Sequence, residues 1–256
     1  MKQFVAITKK EWMEQIRTGK LWIVLAIFVI FGIMNPAIAK LTPWLFELLS
    51  DSMAEQGITI TAVSVDALTS WIQFYKNISM GIIVFVIMYA GILTQEYQKG
   101  TLILMLTKGL ARYQVIISKG TIMMLIWTLC YWSCFGVTYG YNAYFWDNSI
   151  AKMLGFAGSC VYLFGVFLIA IVLLASSLFH TSTAALLMIG GIAASSYLLS
   201  MVPTFTKYLP TTLLNAGTML NGGSVASDYT AALIITFALT MVSFVVSILS
   251  FNRKKL

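Results

Sequence analysis

The sequence predicts an all-α protein that crosses a membrane six times. Three observations predict it. Hydrophobic residues make up 59% of the 256 and charged residues only 10%, against roughly 25% charged in soluble domains. Charge-free apolar runs recur along the chain at close to the 20 or so residues that cross a hydrocarbon core. The basic residues, which bring the net charge to +7, collect in alternate gaps between those runs and at the two ends. That is the pattern of membrane topology and not of a nucleic-acid-binding face.

Residues 1–20 come first and are expected to form an interfacial helix. Val5, Trp12 and Ile16 can face lipid while Lys9, Lys10, Glu14 and Arg17 face water. The charges before residue 21 are too many and too mixed for a cleavable leader. The six expected spans cover about 21–39, 78–93, 121–139, 156–179, 183–202 and 231–250. Asn35-Pro36 should kink the first. No charge occurs between Met153 and Thr206, and only His180, Thr181 and Ser182 part spans four and five, so these form a tight hairpin.

The gaps differ in character. Residues 41–76 read as a long loop that opens with a short helix on the membrane surface. Residues 94–120 carry Glu96, Lys99, Lys108, Arg112 and Lys119 and cannot enter hydrocarbon cheaply. Leu102, Leu106, Leu110 and Tyr113 recur there at helical spacing, which predicts a basic amphipathic helix. Residues 203–228 hold apolar pieces too short to span, and a re-entrant helical pair fits them.

Twelve of the sixteen Lys and Arg residues fall in the N-terminus, the gap 94–120 and the C-terminal tail, while six of the nine acids fall in the other gaps. This places both ends and the gap 94–120 in the cytosol of a plasma membrane.

Residues that carry chemistry are few. No G-x-x-x-x-G-K-[ST] phosphate loop is present, so the chain is expected not to be an enzyme and to bind no nucleotide by that route. His180 reads as a polar turn residue. Cys130, Cys134 and Cys160 lie in apolar runs and read as small core residues, with no metal site or disulfide framework implied. The expected spans hold no ionisable acid or base, against a proton or sodium relay. Gly136 with Gly140, Gly190 with Ala194 and Gly191 with Ser195 stand at helix-packing spacing and are expected to mark close contacts, within one chain or between two. Phe28, Phe31, Asn35, Phe85, Met88, Tyr89, Met188 and Met201 are candidates to line an apolar cargo pathway, with lipid-facing or core packing as the alternative for each.

The whole pattern resembles the membrane subunit of an ABC exporter of the type-2 permease family. The gap after span two resembles that family's E-x-x-x-G-T…L-L…R…K pattern in Glu96, Gly100, Thr101, Leu104, Leu106, Arg112 and Lys119. The helix before span one is similar to the family's elbow helix, and YLPTTLLN at 208–215 resembles its proline-led approach to the last outside hairpin. The long gap 41–76 and the polar start of 94–98, TQEYQ, depart from the simplest members.

The resemblance implies that residues 94–120 are a coupling helix seated in a groove of a separate ATPase subunit. It implies two copies of that ATPase, which bind the ATP and Mg, and a second permease chain, identical or different. Glu96 would then pair with Lys99 or with a partner's arginine, Gly100 would break the helix from span two, and Thr101 would cap the next. The uncharged interior suits an apolar or amphipathic cargo, a peptide first. A membrane scaffold or sensor without transport and an ion-coupled carrier are the alternatives.

Overall fold

The computed structural model describes residues 2–54, 65–102, 107 and 111–254, with the side chains of 2, 3 and 49–54 left outside that description. Among the described residues there is no strand. The helices are α1 (Lys2–Arg17), α2 (Lys20–Ala54), α3 (Ala67–Tyr89), α4 (Thr94–Gln98), α5 (Arg112–Phe145), α6 (Leu154–Leu178), α7 (Ser182–Ser200), α8 (Pro203–Thr206) and α9 (Thr230–Arg253). Short 3₁₀ segments η1 (Asn148–Ile150), η2 (Pro210–Met219) and η3 (Ala226–Tyr229) lie between them. Six helices are long and apolar enough to cross a membrane.

Local sequence explains the ends of these elements. Gly19, at φ 73°, parts α1 from α2 in a left-handed conformation that costs glycine little. Asp66 caps α3 by accepting from the Thr69 amide at 3.0 Å. Thr181 caps α7 in the same way through Ala184, and so the hairpin turn after α6 stays short.

Three helices outrun the apolar stretches that predict them. α2 does not stop at residue 39 but continues through Pro36 and Pro43 to Ala54, so the expected surface helix at the start of 41–76 is an extension of span one. α3 begins at Ala67, eleven residues before the expected start. α5 begins at Arg112 and takes the last third of the expected coupling segment into span three. The reason is the same in each case. Hydropathy marks where a helix is in hydrocarbon, and a helix continues into the polar layer as long as its backbone stays bonded.

Pro36 shows how the backbone is satisfied. It has no N–H, so the Gly32 carbonyl loses its helical donor. The Thr138 hydroxyl of α5 donates to that carbonyl at 3.0 Å and accepts from Asn35 Nδ2 at 3.0 Å. Asn77 Nδ2 of α3 in turn donates to Asn35 Oδ1 at 2.8 Å. This chain ties α2, α3 and α5 together where water is absent and each such bond is worth about 0.6–2 kcal/mol.

α6 is the centre of the bundle. It packs on α9, η2, α5 and α7. Its small residues admit aromatic neighbours: Gly158 faces Phe135 and Gly165 faces Trp127. α9 presents Thr236, Thr240, Ser243 and Ser247 inward, a stripe of small side chains that lets helix axes approach. The free cysteines Cys130, Cys134 and Cys160 are buried in this packing.

The glycine pairs picked out by spacing do not mark contacts within the chain. A Cβ at Gly136, Gly140, Gly190 or Gly191 would meet nothing within 4 Å. The close approaches are at single glycines instead. A Cβ at Gly32 would lie 2.9 Å from the Cys134 carbonyl oxygen, and one at Gly120 would lie 3.1 Å from Leu173.

Candidate functional site

A cluster of charged residues lies at one end of the bundle, where α1, α4 and the first turns of α5 converge. α1 has three faces. Val5 and Ile16 are exposed and Trp12 is half-buried, Lys9 and Arg17 are exposed, and Ile7, Glu11 and Gln15 are buried against the bundle at spacings of four. The buried face holds a carboxylate, which needs a partner. Lys119, about two turns into α5 and 2% exposed, supplies it at 2.8 Å.

Glu96 of α4 completes the cluster. Its Oε1 lies 3.1 Å from both Lys119 Nζ and Lys10 Nζ. Lys10 also reaches Glu11 and Glu14, each at 3.1 Å. The carboxylates of Glu11, Glu14 and Glu96 lie within 4.8 Å of one another, and the Lys10 ammonium is the cation they surround. Burial by itself would raise the Glu11 carboxyl, but the Lys119 charge and hydrogen bond, with Lys10 behind them, hold it below its ordinary value of 4.5. Burial would likewise lower the Lys10 ammonium, but the Glu96 and Glu11 charges and the bonds from Glu14 and Glu11 raise it above the usual lysine range.

Two expectations change here. Within the chain Glu96 pairs with Lys10 and Lys119 and not with Lys99. Lys119 is an internal ion-pair partner and not part of a basic surface. Glu11 is the residue that sequence reasoning missed. The only local signal was its place between Ile7 and Gln15 on one helical face.

Gly100 follows α4 at φ 67° and turns the chain. The Thr101 hydroxyl donates backward to the Glu96 carbonyl at 3.5 Å, a weak bond to the preceding helix, while the segment it was expected to cap lies outside the described residues. Leu102 is fully buried. Leu104, Leu106, Lys108 and Leu110 lie outside the described residues, and Tyr113 of the same expected stripe is exposed on α5.

The C-terminal tail joins the same end. Arg112 Nη1 donates to the carbonyls of Asn252 and Lys254. Lys254 Nζ donates to the carbonyls of Ser177 and Phe179, each at 2.9 Å, and so closes the C-terminal end of α6. Burial pushes that ammonium down to about 8, which leaves it mostly charged at neutral pH. It also sits 4.3 Å over the Tyr97 ring of α4. Tyr97 in turn meets His180 in the α6–α7 turn and Phe251 of α9. α4 is thereby joined to α1 and α5 by charge and to α6, α7 and α9 through one tyrosine.

A second feature is an apolar cleft of about 380 Å³ between α3, α6, α7 and η2. Ile82, Val86, Phe167, Ile189, Gly190 and Leu214 are among its walls. α7 covers it loosely, since of its residues only Ala185 and Ile189 are buried. None of the eight candidate pathway residues lines this cleft. Phe28 and Phe85 pack edge-on against Trp127, at 5.8 and 5.4 Å between ring centroids, and Phe85 touches Tyr89 at 4.7 Å. Asn35 sits in the α2–α3–α5 network. Phe31, Met88 and Met188 are partly buried against the core, and Met201 is exposed at the end of α7.

Two comparisons bear on this arrangement. The family model for ABC-2 family transporter proteins matches residues 5–256. The chain is also 25% identical to the uncharacterized transmembrane protein YxlG of Bacillus subtilis (strain 168), over 99% of this chain and 98% of that protein.

Proposed function

As the chain belongs to the ABC-2 transporter family, we propose that it is the transmembrane permease subunit of an ATP-driven exporter in a bacterial plasma membrane. Both termini and α4 face the cytosol in this reading. Two cytosolic ATPase subunits bind the ATP and Mg, and a second permease chain, identical or different, completes the complex.

The observation that carries the proposal is the ion-paired junction of Glu11, Glu96, Lys10 and Lys119. It binds the segment after α3 to α1 and to the base of α5. A push on that segment, when two ATPases close around ATP, would move three elements as one. Gly100, Thr101, Leu106 and Arg112 are assigned to the segment that meets the ATPase and to its anchorage. Glu96 and Lys119 are assigned to transmission behind it. The apolar cleft behind α7 suits the apolar face of an amphipathic cargo, with a peptide as first choice.

The test is biochemical. A tagged chain, extracted in mild detergent, is expected to bring with it an ATPase that carries a phosphate loop. Stripped of that partner, it is expected to hydrolyse no ATP. Hydrolysis that survives the stripping overturns the permease reading.

A further inference from the structure

The charged junction lines a cavity of about 310 Å³ whose walls carry two unlike sets of groups. Its walls carry Lys10, Lys20, Lys99 and Lys119 together with Glu11, Glu14 and Glu96. Lys10 and Lys119 are consumed by the three carboxylates. Among the described residues, Lys20 and Lys99 form no ion pair; Lys20 has only a long 3.4 Å bond to Gln95 Oε1. The Thr101 hydroxyl stands in the same wall. This set seeks an anion.

The other set seeks a donor. Glu96 Oε2 and Gln15 Oε1 have no hydrogen-bond partner, and their residues are 7% and 5% exposed. A buried carboxylate oxygen and a buried amide oxygen without donors are costly. Both residues line this cavity. Two ammoniums against three carboxylates also leave this set net negative.

The depth of the cavity follows from the chain. Lys20 immediately precedes the charge-free run 21–39, Glu96 follows the run 78–93, and Lys119 precedes the run 121–139. The exposed apolar side chains Trp22 and Ile23 begin one turn from Lys20. These residues therefore lie where hydrocarbon gives way to headgroups.

We infer that this cavity binds the headgroup of a zwitterionic phospholipid that carries a primary ammonium, the phosphatidylethanolamine class. Its phosphate meets Lys20, Lys99 and Thr101, and its ammonium donates to Glu96 and Gln15. A choline headgroup has the same charges but no N–H to donate, and a glycerol headgroup has no cation. A lipid bound there would add to the ion pair that already holds α1 against α4.

The experiment uses the full chain, purified in detergent and freed of lipid, with its melting followed as lipid is added. Phosphatidylethanolamine is expected to stabilise it at about tenfold lower concentration than phosphatidylcholine or phosphatidylglycerol of the same acyl chains, the scale of one charged hydrogen bond. Lys20→Gln with Lys99→Gln should raise the concentration needed of all three lipids alike, since each carries the phosphate, whereas Gln15→Leu, which removes an unpartnered acceptor, should narrow the preference for ethanolamine. Equal responses to ethanolamine and choline lipids overturn the proposal. So does an equal response to the glycerol lipid, which would make this a plain anion site. An ethanolamine preference unchanged in Gln15→Leu, or lipid responses unchanged in the double lysine variant, overturns it as well. Soluble glycerophosphoethanolamine that matches the lipid at equal concentration would make the cavity a site for a free metabolite and defeat the lipid assignment. No ATPase is needed, so the outcome is independent of the transport reading.

Discussion

Lys119→Met is expected to destabilise the purified chain by about 3–5 kcal/mol, the cost of breaking a buried pair from one side. The variant leaves Glu11, 1% exposed, and Glu96, 7% exposed, side by side with Lys10 as the one cation paired to them among the described residues. Lys10 is 45% exposed through its side chain, so solvent screens it and it compensates little. Glu11→Gln with Glu96→Gln and Lys119→Met should recover most of the loss, because neutral groups of similar shape leave no charge buried. The pH dependence gives a second signature. Glu11 is held below its ordinary 4.5 in the folded chain. Its contribution is therefore complete above that value and is lost as pH falls through the folded pKa. Lys10 is raised, so its contribution is intact below its ordinary 10.5 and is lost only as pH rises through a still higher value. Wild type should thus hold its melting temperature across neutral pH and lose it on acidification. Lys119→Met should instead gain stability on acidification, as protonation relieves the two carboxylates. Melting in detergent against pH separates the two behaviours.

Gly165→Ala is expected to be as damaging, for a steric reason. A Cβ there would lie 2.1 Å from Trp127 Cζ2 and 2.2 Å from Cε2. The indole cannot retreat. It is 1% exposed, its Nε1 donates to the Tyr162 carbonyl at 3.2 Å, and Phe28, Phe85 and Tyr131 hold its ring. α6 must therefore move away from α5. Overpacking in a fixed core costs about 1–3 kcal/mol, and a contact this short belongs at or beyond the top of that range. Gly190→Ala is the control. It meets nothing within 4 Å and should be neutral or slightly stabilising, since alanine favours a helix by about 1 kcal/mol over glycine. Fluorescence-detected gel filtration of heated samples reads both.

The span helices were legible because hydrocarbon imposes a local rule. A charge-free run of the right length needs no knowledge of its neighbours, and the helices α6, α7 and α9 start and stop within a few residues of the runs that predict them. Where helices leave the bilayer the rule falls silent. The run that predicts span one ends at residue 39, yet α2 continues through Pro36 and Pro43 to Ala54, and at Pro36 a hydroxyl 106 residues away at Thr138 takes up the Gly32 carbonyl.

The site was half legible for the same reason. The pattern around Glu96 and Gly100 drew attention to the right segment. The partner of Glu96, however, is fixed by how α1 lies across the base of α5, and Lys10 and Glu11 are more than eighty residues away in sequence. Of the aromatic residues named as pathway candidates, Phe28 and Phe85 pack on Trp127 and Tyr89 on Phe85, the core-packing alternative given for each. The cleft is lined instead by Ile, Leu and Val, which are too common in spans to stand out.

The central claim is that the segment after α4 seats in a separate ATPase. Leu106→Asp places a charge on the apolar stripe of that segment while leaving every span and the ion-paired junction unchanged. The measurement is the amount of ATPase that co-purifies with the tagged variant, set beside its melting temperature without the partner. The expected result is loss of most of the associated ATPase and of its hydrolytic activity at an unchanged melting temperature. Full retention of the ATPase and of wild-type hydrolysis at that same melting temperature would contradict the coupling assignment and leave residues 94–111 as a surface segment held on lipid.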